Sequence, residues 1–160
     1  MRALVFALAG ACVLGCATTS APPAAASEAP TIATCLENAE DAAGRRACIG
    51  SVNLHCQDEG DGGVTTVGMV MCAERERAQW AAIGAAAAAT VAAQESPPQA
   101  AARSRATEAH AVWLQARCAY DASYYEGGSL ARYSAAACVM GETARFALIL
   151  HERTITLSEG

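Results

Sequence analysis

Lysine is absent from this chain: all 11 basic residues are arginine, which reads as a GC-rich coding habit before it reads as chemistry. Aromatic residues are also scarce, at 5% of 160. So few large side chains disfavour a β-sandwich core. Helices are favoured instead, because alanine supplies much of the 53% apolar fraction and is the best helix former. No Cys-x-x-Cys pair exists, and from Cys35 onward the cysteine spacings of 12, 7, 15, 45 and 19 intervening residues match no zinc module. A metal site is therefore not expected. No acid pair in an apolar setting stands out, which argues against a glycan hydrolase. His55, His110 and His151 are spread over three elements with no serine or cysteine nucleophile in reach by sequence, so no catalytic residue and no cofactor are assigned. The chain is not read as an enzyme.

A long apolar run is missing as well. Ala3 to Leu14 is too short to span a bilayer and matches the h-region of a signal peptide, with Arg2 as its positive n-region. Val13-Leu14-Gly15-Cys16 resembles a bacterial lipobox, in which the Cys16 thiol accepts a diacylglyceryl group. Residues 1–15 are thus expected to be a lipoprotein signal peptide. Ala17 and Thr18 are not acidic, which points by analogy to the outer membrane, with the protein facing the periplasm. Residues 16–30 are small, Pro-rich and without periodicity, as a flexible tether would be. Removing the leader leaves ten arginines against 16 carboxylates, a formal charge of −6. Nucleic acid and anionic lipid surfaces are disfavoured as partners by that balance, and a cationic partner is favoured.

Residues 31–160 then form one cysteine-rich domain. Its pattern predicts a short helix over 32–40 and another over 44–57, followed by the acidic break Asp58-Glu59-Gly60-Asp61-Gly62-Gly63. A long helix begins at Thr65 or Thr66 and repeats Met69, Cys72, Glu76, Trp80, Ile83, Ala87 and Val91 at three- and four-residue steps. Ser96-Pro97-Pro98 stops it. A helix over 99–124 carries His110, Trp113, Arg117, Tyr120 and Tyr124 on one stripe, Gly127-Gly128-Ser129 turns the chain, and a last helix covers 130–156. The expected fold is all-α: a small disulfide-bonded bundle built around a C-terminal antiparallel helical hairpin.

Export makes Cys35, Cys48, Cys56, Cys72, Cys118 and Cys138 candidates for three disulfides. Cys118 and Cys138 stand at nearly equal distances from the glycine turn, which places them at one height on facing helices. For the others, Cys56 to Cys72 with Cys35 to Cys48 is favoured by the intervening loop, and the crossed pairing, Cys35 to Cys56 with Cys48 to Cys72, stays open.

Trp80 and Trp113, on apolar stripes, are read as core, and Glu74-Arg75-Glu76-Arg77 as a solvated helix face. Two regions are candidate binding surfaces. One is the turn with Tyr124, Tyr125, Glu126 and Ser129; the other is the acidic loop with Asp58, Glu59 and Asp61.

The run Cys118-Ala119-Tyr120-Asp121-Ala122-Ser123-Tyr124-Tyr125-Glu126-Gly127-Gly128-Ser129, with Cys138 and Thr143, resembles the C-terminal signature of the LprI-type lysozyme-inhibitor domain of exported bacterial proteins. Cys48-Ile49-Gly50, Cys56, Thr65-Thr66-Val67-Gly68-Met69, Cys72, Glu76 and Trp80 are similar to the N-terminal half of a cysteine-rich branch of that family. His110 stands where family members carry a tryptophan, and Ala81 to Ala89 lacks their polar residues. The resemblance implies a lipid-anchored protein that inhibits a cationic lysozyme by protein–protein binding. The alternative is a structural or envelope-stress lipoprotein without inhibitory activity.

Overall fold

The structure, a computed structural model, describes residues 29–59, 63 and 65–159. The leader, Cys16, most of the tether, and Asp61 of the acidic loop lie outside the described residues. Six helices follow in order: α1 (Ile32–Glu37), α2 (Ala42–Ala47), α3 (Ser51–Asp58), α4 (Thr66–Ala92), α5 (Pro97–Ser123) and α6 (Ser129–Ser158). With no strand among the described residues, the fold is an all-α, disulfide-bonded helical bundle.

Local chemistry sets most boundaries. Thr31 accepts from the Thr34 N–H at 3.1 Å, Asp41 from Gly44 at 2.7 Å and Thr65 from Gly68 at 3.0 Å, so each opens its helix by satisfying an orphan donor. The helix expected over 44–57 is instead two, because Gly50 adopts a left-handed φ of 95° that ends one helix and re-aims the next. Pro97 and Pro98 do not terminate α4, which ends at Ala92. They are the first residues of α5, where a missing N–H costs nothing and the fixed φ is already helical.

The main buried seam runs between α4 and α6, which lie parallel. Ala73 clusters with Ala136 and Met140, Trp80 with Ala144, Ala147 and Leu148, and Val91 shares a cavity wall with Leu157. Small residues let the two helices approach closely. A Cβ placed on Gly84 would stand 3.1 Å from the Ala147 Cβ. Because that neighbour is rooted on backbone and cannot swing away, Gly84→Val should destabilise the domain by about 1–3 kcal/mol. Chemical denaturation reads this directly, and a change below about 0.5 kcal/mol would mean that the seam is loose.

Helix α5 is the antiparallel return between α4 and α6, forming the expected hairpin with α6. Cys118–Cys138 ties it, with a Cα separation of 5.4 Å, and His110 stacks on Phe146 at 4.2 Å. Only Cys118 of α5 is buried. Trp113, expected in the core, is 48% exposed. A helix that packs on a single neighbour buries one narrow face, and the Trp113 stripe lies on its flank. The other bridges are Cys35–Cys48 and Cys56–Cys72, with Cα separations of 5.8 and 5.6 Å, so the favoured pairing holds over the crossed one.

Candidate functional site

A carboxylate sets the position of α3 against α4. Glu76, expected on a solvated face, is fully buried. One of its oxygens accepts from the Gly50 N–H at 2.6 Å and from the Trp80 indole N–H at 3.0 Å; the other accepts from the Asn53 N–H at 2.8 Å. Gly50 has no side chain with which to cap α3, so Glu76 of α4 supplies the missing acceptor and meets the positive end of the helix dipole. The neighbouring Glu74 and Arg77 pair at the surface at 2.6 Å, as a solvated run would. Two patterns competed at this position, the charge run and the Met69–Cys72–Glu76–Trp80 stripe, and the stripe was the correct signal.

Anchoring α3 in this way fixes where the acidic loop emerges. Gln57, one residue before Asp58, donates to the Tyr133 hydroxyl at 3.2 Å, and Tyr133 lies on the first turns of α6. Because α4 and α6 run parallel, their N-termini share one end of the bundle. The exposed Asp58 and Glu59 therefore lie at the same end as Tyr124, Tyr125, Glu126 and Ser129. The two candidate regions, separate in sequence, thus share one end of the bundle. Glu59 is partly engaged there by His55, at 2.6 Å. Beside it, a cleft of about 590 Å³ is lined by His55, Glu59, Val67, Met71 and Arg75, with Val67 and Met71 exposed.

The turn itself is held by its own backbone. Tyr125 and Glu126 N–H donate to Ala122 and Ser123 carbonyls at 3.1 and 3.3 Å, and Gly128 N–H closes on Tyr125 at 2.9 Å. Gly127, at φ 77°, takes the left-handed position that glycine favours, and Glu126 precedes it at φ 48°. Tyr120 and Tyr124 meet edge to face at 5.2 Å with their hydroxyls hydrogen-bonded. That bond chiefly holds the Tyr124 phenol above its usual pKa. On the same flank Arg117 pairs with Asp121, which raises the guanidinium further.

Of the chain's eight aromatic residues, Trp113, Tyr120, Tyr124 and Tyr125 are exposed along α5 and its turn. Among the described residues no group of three His, Cys, Asp or Glu could hold a metal ion, and all six cysteines are in disulfides. No helix there is long and apolar enough to cross a membrane. What the arrangement offers chemically is a contact surface: rigid aromatic rings, hydroxyls and carboxylates on a clamped hairpin. No family model, curated protein or solved structure matches the chain.

Proposed function

We propose that this chain is an exported, lipid-anchored protein-binding module of the bacterial envelope, held at the outer membrane through Cys16, and that its partner is a cationic lysozyme, which it inhibits. The observation that carries the binding role is the aromatic flank. A chain with so few large rings leaves Trp113, Tyr120, Tyr124 and Tyr125 in solvent while filling its core with alanine. Exposed rings of this kind serve as interface anchors at low ordering cost, and the clamped turn lowers that cost again. Lysozyme as the partner rests on the resemblance of the Cys118 to Ser129 run, and the acidic balance supports it through electrostatic steering of a cationic protein.

The test is inhibition of lysozymes of several classes by the purified protein and by Tyr124→Ala/Tyr125→Ala. The double variant should lose inhibition by about 2 kcal/mol or more, because interface anchors carry energies of that size. Its melting temperature should hardly move, since exposed side chains contribute within about 0.5 kcal/mol to folding. Undiminished inhibition would remove the turn from the interface. Failure of the unmodified protein to inhibit any lysozyme would remove the partner.

A further inference from the structure

Away from the aromatic flank, a cavity of about 580 Å³ opens between the α2–α3 junction and α6. Its lining has two characters. Ile49, Leu148 and Ile149 form an aliphatic side, and Ile149 is 63% exposed. Arg46 and Arg145 bring two guanidiniums, with Glu152 the one carboxylate in the lining. Arg46 has no ion-pair partner among the described residues, and Arg145 is held only by Glu142 of its own helix, at 2.7 Å. Beside them, Arg45 sits 3.8 Å from Glu152, and its Nε is buried with no hydrogen-bond partner among the described residues. Two guanidiniums thus line the cavity, that of Arg46 without an ion-pair partner among the described residues, in a chain whose formal charge is −5.

We propose that this cavity binds the headgroup of an anionic phospholipid. Arg46 and Arg145 take the phosphate oxygens, because a planar guanidinium matches an oxyanion with paired hydrogen bonds. Ile149, with the half-buried Ile49, takes the glycerol and the first methylenes. A free inorganic anion would satisfy the arginines and leave this aliphatic side in water, so an amphiphile is the better match. The net negative charge disfavours attraction of the whole protein to an anionic bilayer, but within a screening length of the cavity the unpaired Arg46 weighs more than distant carboxylates. Supply of the ligand rests on the anchoring at Cys16: the 13 residues from there to Ala29 span at most about 45 Å, which keeps the domain at the membrane surface and the local headgroup concentration high.

The full chain carrying Cys16→Ser, which removes the acylated thiol, is purified in a non-ionic detergent and titrated with dihexanoyl phosphatidylglycerol by native mass spectrometry. One bound lipid is expected. Arg46→Ala/Arg145→Ala should weaken it roughly tenfold or more, since each change removes a charge-assisted contact. Arg132→Ala, an exposed arginine on the first turn of α6, should leave it unchanged. Both cavity arginines are exposed, so circular dichroism should show the double variant folded. Equal binding of dihexanoyl phosphatidylcholine would reduce the cavity to an apolar groove. Displacement of the lipid by equimolar inorganic phosphate would make it a free-anion site. Undiminished binding by the double variant, or no binding at all, would overturn the proposal. None of these readouts depends on the anchor, which is tested separately by whether Cys16→Ser releases the protein from membranes.

Discussion

Reduction of the three disulfides without denaturant should abolish the folded state at ambient temperature. The bridges close loops of 13, 16 and 20 residues that follow one another along the chain without overlap, so their effects on the unfolded ensemble accumulate. Each contributes about 3 kcal/mol in the chain-entropy account, about 9 kcal/mol together. A domain of this kind has about 5–15 kcal/mol of total stability. Its core offers little in reserve: beyond Trp80, Ile32, Leu148, Met140 and the two valines, the buried hydrophobic residues are alanines and cysteines. Thermal melts followed by far-ultraviolet circular dichroism, with and without a phosphine reductant, provide the measurement. The expected shift is on the order of 30 °C or the loss of any cooperative transition. A reduced protein that melts within a few degrees of the oxidised one would show that helix packing alone suffices.

Glu76→Ala should destabilise the domain by about 3–5 kcal/mol, because it leaves three donors without acceptors and each buried orphan costs about 1–3 kcal/mol. The donors are the Gly50 and Asn53 N–H groups and the Trp80 indole N–H. Glu76→Gln keeps the shape and one acceptor oxygen but turns an NH₂ group toward a donor, so it should cost about 1–3 kcal/mol. The ordering of the two variants separates hydrogen bonding from packing. In urea, the midpoint should fall with little change in slope, and the amides of Gly50 and Asn53 should lose protection from exchange before the rest of the core. A Glu76→Ala protein within about 1 kcal/mol of the unmodified one would mean that water replaces the carboxylate.

The candidate surface was legible in pieces. Tyr124, Tyr125, Glu126 and Ser129 crowd a glycine turn, and Asp58 and Glu59 open an acidic loop, so both regions stand out as local clusters. That they share one end of the bundle could not be read locally, since it depends on α4 and α6 running parallel and on the Gln57 to Tyr133 contact. The Arg46–Arg145 cavity left no sequence signal at all. The two arginines are 99 positions apart, and the net charge pointed the other way.

By itself the sequence placed the three long helices to within a few residues, but it missed the break at Gly50 that makes two helices of the expected 44–57. Caps and turn glycines act within a few residues, so Thr65 and Gly127-Gly128 announced their roles. It also determined the Cys118–Cys138 bridge, because equal distances from a turn along two straight helices bring the thiols level. The tertiary structure alone decided which side of each stripe met a neighbour. Periodicity says that Glu76 and Trp80 share a face, and that Trp113 and Tyr120 share another, but not which of the two faces is covered. Glu76 turned inward because the bare N-terminus of α3 needed an acceptor. Trp113 stayed outward because α5 packs chiefly on α6 and no described element covers that flank. Burial is a relation between two elements, and where the second one lands is set by the packing of the whole chain.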